Sequence, residues 1–345
     1  MAEKSTFFDP NQSYRLEKAK PTSLTADAFR RLRRNKAAMI GAMIIAVNLL
    51  VAIFAPFIAP YDYDTVFFKD INGTPTWVTK IFPGMKPIEQ GGYVKIREGF
   101  LLGADNLGRD LLSRIIYGAR ISLTVGIITP FINLTLGLLI GLLSGYRGGW
   151  LDNVIMRFVD IMYAFPTYLL IILLMSVFRL GASKLEPGSF GYFFSRLDAS
   201  MGGLLFIFIG IGLTSWMNEA RLARGQVLSV RENEYIVAAI AIGAPNSRII
   251  FRHVLPNIIG PLIIAETLAI PSYIAYEAFL SFIGLGVNPP TPSWGGMIAD
   301  GVVRIQAYPN HAIFPALALF ILMFAFNFLG DGLRDAFDPT LRGRE

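Results

Sequence analysis

Long stretches of this chain carry no Asp, Glu, Lys or Arg. Residues 37–61, 121–146, 161–178, 199–218 and 305–330 are each uncharged and apolar, and residues 253–286 are broken only by Glu266 and Glu277. A helix rises about 1.5 Å per residue and a bilayer's hydrocarbon core is about 30 Å thick, so roughly 20 apolar residues make one crossing. Six such stretches predict six membrane-spanning helices. Composition agrees: 53% of the 345 residues are hydrophobic and only 16% are charged, against about 25% charged in soluble domains. The first stretch reads as a retained anchor and not a signal peptide, because 36 residues precede it and the apolar run is too long for an h-region.

Orientation follows from Lys and Arg, which concentrate on the cytoplasmic side. Residues 1–36 hold nine of the 31 basic residues, including Arg30, Arg31, Arg33, Arg34 and Lys36 directly before the first stretch. Six crossings put both termini on one side. Arg147 and Arg157, then Arg221, Arg224, Arg231, Arg248 and Arg252, then Arg334, Arg342 and Arg344 fall on that same side. Both termini are therefore expected in the cytoplasm. The expected units are a tail 1–36, a first helix 37–61, an outer loop 62–118, a core 119–332 with an inner loop 219–256, and a tail 333–345. Leu24, Ala28 and Leu32 share one helical face among basic residues, predicting an amphipathic helix on the inner surface. The net charge of +6 is explained by topology and not by nucleic acid.

The inner loop is too long and too patterned for a connector. Ala-rich helical sequence stops at Gly243, a residue that tolerates positive φ. Pro245 suits the start of a new helix and Pro256 the entry to the next span. This predicts helix, glycine turn, helix, with a small apolar tip over residues 239–246. The pattern Ala238-Ala239, Gly243 four positions on, and Leu255-Pro256 twelve further resembles the EAA loop of ATP-binding-cassette importer permeases. Val237 stands where that motif has its name-giving Glu, and His253 where an apolar residue is usual. Further stretches resemble the C-type permease subunit of the oligopeptide/dipeptide branch. They are Leu102–Leu123, Gly145–Asp152, Met156–Asp160, Ala164-Phe165-Pro166, Ser281–Val287 with Pro292–Gly295, and Asn327–Asp335, together spanning roughly residues 100–340. Residues 62–100 resemble nothing nameable.

The resemblance implies an all-α, polytopic inner-membrane protein with the type I importer permease fold, of bacterial or archaeal type. It implies four partners besides membrane lipid: a homologous second permease, two ABC ATPase subunits and an extracytoplasmic binding protein. It makes the inner loop a coupling helix, with Ala238, Ala239, Gly243, Ala244, Pro245, Asn246 and Arg248 as the docking residues. Cargo would be oligopeptides or dipeptides, with oligosaccharides, nickel complexes or glutathione as alternatives inside the same architecture. A self-sufficient secondary transporter or channel is the rival from another class.

Other residues carry two readings each. Glu266 and Glu277 sit in one span, eleven residues apart and nearly on one face. They are either a cation-attracting lining of the path or buried hydrogen bonds between helices. Asp105 and Asn106 ahead of Leu107, Leu111 and Leu112, with Arg109, Asp110 and Arg114, predict a capped amphipathic helix outside. That helix is either an external gate or binding-protein contact, or a lid packed on the membrane. Asp62, Asp64, Asp70 and Asn72 lack the spacing of a calcium loop, and His253 and His311 read as structural. No metal or cofactor is expected in this chain. None of its nine Lys sits in a Gly-Lys-Ser/Thr phosphate loop, so ATP and magnesium would belong to partner ATPases and the chain itself would not be an enzyme.

Overall fold

The computed structural model describes residues 24–182 and 188–337. The expected tails before residue 24 and beyond residue 337 lie outside them. Helix α1 (Leu24–Arg34) is followed after one residue by α2 (Lys36–Ile53). Asn35 separates them, because its side chain accepts the Ala38 N–H at 3.1 Å and caps α2. Ala28 is buried on α1 while Phe29 is exposed, and α1 lies against the last span as an amphipathic helix would. The first span ends at Ile53 and not at residue 61. Pro56 forces a break at Phe54, and a single turn, α3 (Ala55–Ile58), follows.

Residues 59–110 form an irregular lobe around the short α4 (Thr76–Ile81). It is held by single β-bridges and by ion pairs of Asp70 with Lys95 and Arg97. Val78, Met85 and Val94 form its small core, against which Tyr308 and Phe314 of a distant segment pack.

The remainder is a helical bundle. Helix α5 (Leu111–Arg147) runs unbroken for 37 residues. Helices α6 (Gly149–Tyr163) and α7 (Thr167–Ala182) follow, with an 86° bend at Ala164-Phe165-Pro166. Pro166 explains the bend: it lacks an N–H and pushes its predecessor out of helical geometry. Helices α8 (Phe190–Ser200) and α9 (Leu204–Arg231) meet at 109°, where Gly202 and Gly203 both take positive φ. Then come α10 (Glu234–Ala241), α11 (Asn246–Ile249), a π-turn over Ile250–Val254, α12 (Leu255–Phe282), α13 (Trp294–Val302) and α14 (Asn310–Phe337). The described residues contain no β-strand. Four helical stretches are long and apolar enough to cross a membrane unbroken, and the two bent pairs raise the number to six.

Packing centres on α5 against α9. Gly137, Gly141 and Gly145 recur every four residues on one face of α5. A Cβ added at Gly141 would lie 2.4 Å from the Ala220 carbonyl oxygen, and one at Gly137 would lie 2.3 Å from Glu219 Cβ. Where lipid is as apolar as the helices, small residues let backbones approach and dispersion hold them. The same device joins α2 to α14, where an added Cβ at Gly41 would meet the Ala325 carbonyl oxygen at 2.5 Å. A partly buried ion pair adds a lock: Arg224 of α9 donates twice to Asp152 of α6, at 2.6 and 2.7 Å, and Ser144 of α5 bonds the same carboxylate.

Candidate functional site

The patterned inner loop is shorter than its sequence suggests. Helix α9 continues as one rod to Arg231, so residues 219–231 belong to it and not to a connector. The true link between α9 and α12 carries α10, a glycine turn and α11. Gly243 has φ +76°. Its N–H donates to the Ile240 carbonyl at 2.9 Å and the Ala244 N–H to the Ala239 carbonyl at 3.0 Å. Those two bonds are the helix-ending motif that needs a left-handed residue after the last turn. Pro245 sits at the start of α11 and Pro256 in the first turn of α12.

The loop has an inner and an outer face. Ile236, Ala239, Ile249 and Val254 are buried with Val227, Val230 and Ile258, and Leu138 and Leu142 of α5 pack against them. Val237, Ala238, Ile240, Ala241 and Ile242 are exposed, Ile242 at 85%. The tip is thus an apolar knob on a rigid base. Two hydrogen bonds tie that base to α5. The Tyr146 hydroxyl bonds Asn246 Oδ1 at 2.9 Å, and Arg231 donates to the Tyr146 carbonyl at 3.2 Å. Of the expected docking residues, Ala238, Gly243, Pro245, Asn246 and Arg248 are exposed, Ala244 is half-buried, and Ala239 points inward at 8%. Ala239 therefore supports the knob from beneath. Ile242 and Ile240, absent from the expected set, are its most prominent side chains beside Val237; a burial pattern was needed to single them out.

At the opposite end of α5, Asp105, Arg109, Asp110 and Arg114 come together, but not as an amphipathic helix capped at Asp105. The helix begins at Leu111, and Asp110 is the cap, accepting the Ser113 N–H at 2.7 Å. Asp105 instead organises a tight loop. It accepts the Leu107 and Arg109 N–H groups at 2.8 and 2.9 Å and the Arg109 Nε at 2.7 Å. Arg114 lies 3.6 Å from the same carboxylate and donates to the Tyr63 carbonyl at 3.1 Å and the Pro290 carbonyl at 3.4 Å. All four residues are buried, at 8% exposure or less. The cluster joins the 59–110 lobe, α5 and the segment before α13. Trp294 strengthens that joint by donating to the Ile115 carbonyl at 2.9 Å.

Glu266 and Glu277 are both buried, at 3% and 0%. Glu277 accepts from Ser281 at 2.7 Å on its own helix. Glu266 accepts from Tyr273 at 3.1 Å. A third carboxylate, Glu219 on α9, is buried at 4%. Its place at the end of an uncharged stretch is visible in the sequence, but its burial depends on the close α5–α9 contact. His311 is buried and stacks on Tyr308, and His253 lies edge-near Tyr235. Among the described residues no group of His, Cys, Asp and Glu is arranged to hold a metal.

The chain matches the family described as "Binding-protein-dependent transport system inner membrane component" over residues 137–343. Residues 23–75 match "N-terminal TM domain of oligopeptide transport permease C". It is 40% identical over 323 residues to the oligopeptide transport system permease protein OppC of Bacillus subtilis, covering 94% of this chain and 92% of that protein. It is 36% identical to the dipeptide transport system permease protein DppC of Bacillus subtilis, covering 93% and 87%. It is 37% identical to the glutathione transport system permease protein GsiD of Escherichia coli O6:K15:H31, covering 91% and 90%. With helices sufficient for a multi-pass membrane protein and matches spanning nearly its whole length, the chain belongs to the family of binding-protein-dependent transport system inner membrane components.

Proposed function

We propose that this chain is one permease half of an ATP-driven importer that carries oligopeptides or dipeptides across the inner membrane. The observation that carries the reading is the exposed apolar knob of α10, seated on α5 by Tyr146 and Asn246 and joined to the end of α9 through Glu232 and Asn233. A lever needs a rigid arm and a face that fits a groove in another protein. A short helix ended by Gly243 between two spans supplies both. Two ATPase subunits dock on this loop and its counterpart in a second, homologous permease, and they alone bind ATP and magnesium. A binding protein delivers cargo from outside. Closure of the ATPases on ATP is transmitted through α10 to the bundle and opens the outer side; hydrolysis resets it. The chain contributes no catalytic group of its own.

The orientation expected from the sequence is kept in this reading, with both termini cytoplasmic and the basic residues of α1 and the inner loop facing the same side. Ala238, Gly243, Ala244, Pro245, Asn246 and Arg248 make the docking surface, with Ile240 and Ile242 at its centre. Asp105, Arg109, Asp110 and Arg114 serve the outer gate as a buried joint between the 59–110 lobe and the α13 segment, and not as a surface for the binding protein. Glu277 serves as an internal hydrogen bond. Peptide cargo is favoured by the relatives named for oligopeptide and dipeptide transport; glutathione, carried by another named relative, is the second reading.

The deciding experiment is the native mass of the complex purified from its own membranes through a tag on this chain. A second permease and two ATPase chains are expected. A lone chain or homo-oligomer that transports without ATP would overturn the assignment in favour of a secondary transporter.

A further inference from the structure

The short helix α4 of the outer lobe has two faces. Val78 and Thr79 are buried, and Val78 sits in the lobe's core with Met85 and Val94. Trp77 and Ile81, one turn apart on the other side, are exposed. The Trp77 indole N–H donates to the Leu101 carbonyl at 2.8 Å, and the exposed Leu101 side chain belongs to the same surface. An apolar patch on a lobe outside the membrane is covered by water, protein or lipid, and its place beside the last span favours lipid.

The patch stands at the outer end of α14. The Trp77 ring lies 5.8 Å from the Phe314 ring, and the Phe82 ring lies 6.2 Å from it. Phe314 heads a stripe: Leu317, Ile321 and Phe324 follow on the same helical face, and all three are exposed. On a membrane-spanning helix such a stripe meets lipid tails. From its first residue to Asp331, α14 carries no charged side chain. Counting back from Asp331 by one crossing of about 20 residues puts the outer edge of the hydrocarbon near His311. Phe314 is then just inside that edge. Trp77 lies beside it, at the level where Trp and Tyr concentrate in membrane proteins. Tyr93 and Tyr308 add to this level: their rings meet edge-on at 5.7 Å, and the Tyr93 hydroxyl donates to the Ala307 carbonyl at 2.8 Å. With its N–H already bonded inside the chain, the Trp77 indole suits a layer less polar than water. Lys80, exposed on the same helix, has a stem long enough to hold its ammonium among headgroup phosphates.

We propose that the outer lobe is seated in the outer leaflet through Trp77, Ile81 and Leu101, which continue the lipid-facing stripe of α14 into the headgroup layer. The partner is phospholipid. The lobe is then fixed at two places: the Asp105 cluster ties it to α5 and the segment before α13, and α4 ties it to α14 and the bilayer. It is a membrane-seated platform and not a freely projecting domain. This goes beyond the importer reading and holds whatever the cargo.

The test uses the complete complex in phospholipid nanodiscs, with the cysteines of its partner chains replaced; this chain has none of its own. A nitroxide is attached in turn to Ile81→Cys, Leu101→Cys and Lys86→Cys, which all replace exposed side chains. ATP hydrolysis and thermal stability of each labelled complex are matched to the unlabelled one before it is used. Power-saturation EPR reads collisions with oxygen, which concentrates in lipid, and with a neutral nickel chelate, which stays in water. The ratio of oxygen to nickel collisions should be several-fold higher at positions 81 and 101 than at 86. Equal ratios at all three positions would put the patch in water and overturn the proposal. Labels at 81 and 101 shielded from both reagents would mean that a protein chain of the complex covers the patch, which overturns it as well. Adding the binding protein should change nothing at 81 and 101; new shielding there would make the patch a dock for that protein and not a seat in lipid.

Discussion

Gly141 shows how little room the bundle leaves at single residues. A leucine there would drive a side chain into the Ala220 carbonyl and the Ala223 methyl, 2.4 and 2.6 Å from the first added carbon. Overpacking in a well-packed interior costs about 1–3 kcal/mol, and backbone is the obstacle here, so the upper end applies. Gly141→Leu should lower the thermal midpoint of the purified chain, read by its retention in solution after heating. Arg224→Ala tests the other lock. It would leave Asp152 buried with only Ser144 as a partner, a loss of roughly 1–3 kcal/mol. Arg224→Lys should recover part of it, because an ammonium keeps the charge but not the paired geometry. A thermal midpoint unchanged in Arg224→Ala would show that the pair contributes nothing net.

At the scale of elements, the α10 loop and the outer lobe make opposite predictions. Ile242 is exposed and touches little within the chain, so Ile242→Asp should leave the fold and thermal midpoint unaltered. In the knob-in-groove reading it places a charge in an apolar contact, and the ATPase subunits should no longer copurify. Full copurification and full uptake would argue against docking at this loop. In the outer lobe, α4 is fastened by Glu98, which accepts from the Thr76 hydroxyl and N–H at 2.5 and 3.1 Å. Those hydrogen bonds hold the Glu98 carboxyl below the usual carboxylate range. A carboxyl lowered on folding stabilises above its unfolded value and loses that contribution as pH falls through its folded one. The Thr76 amide should therefore stay protected from hydrogen exchange at neutral pH and lose protection in acid below the usual carboxylate range. In Glu98→Gln its protection should change little with pH over that window.

For the whole molecule, the absence of cysteine makes topology directly measurable. A single cysteine at exposed Lys86 should react with an impermeant thiol reagent applied from outside intact cells, and one at Ile242 only after the membrane is opened. The reverse pattern would invert the assigned orientation. Four unbroken crossings and two bent ones give the bundle corners as well as rods. At the α6–α7 corner a cavity of about 220 Å³ opens between α6, α7, α9 and α12.

The apolar stretches, the basic flanks and the motifs were in the sequence, and with them came the candidate crossings, the glycine-ended inner loop and the family. These signals are local: hydrocarbon thickness sets helix length, and Gly243 takes the left-handed conformation that closes the last turn of α10. The spacing of Gly137, Gly141 and Gly145 is also printed in the chain, but not that α9 is what they receive. Likewise Asp105 and Asp110 are equally plausible caps in sequence, and only the reversal of the chain at residues 105–109 decides between them. Ala239 of α10 and Ile242 just past its end are both apolar residues three positions apart, yet one is buried in the bundle and the other faces out. Tertiary structure alone assembled Glu219, Glu266, Tyr273 and Asn133, from three helices far apart in sequence. Burial and partnership depend on which faces meet, and a linear pattern fixes the faces of a helix but not its neighbours.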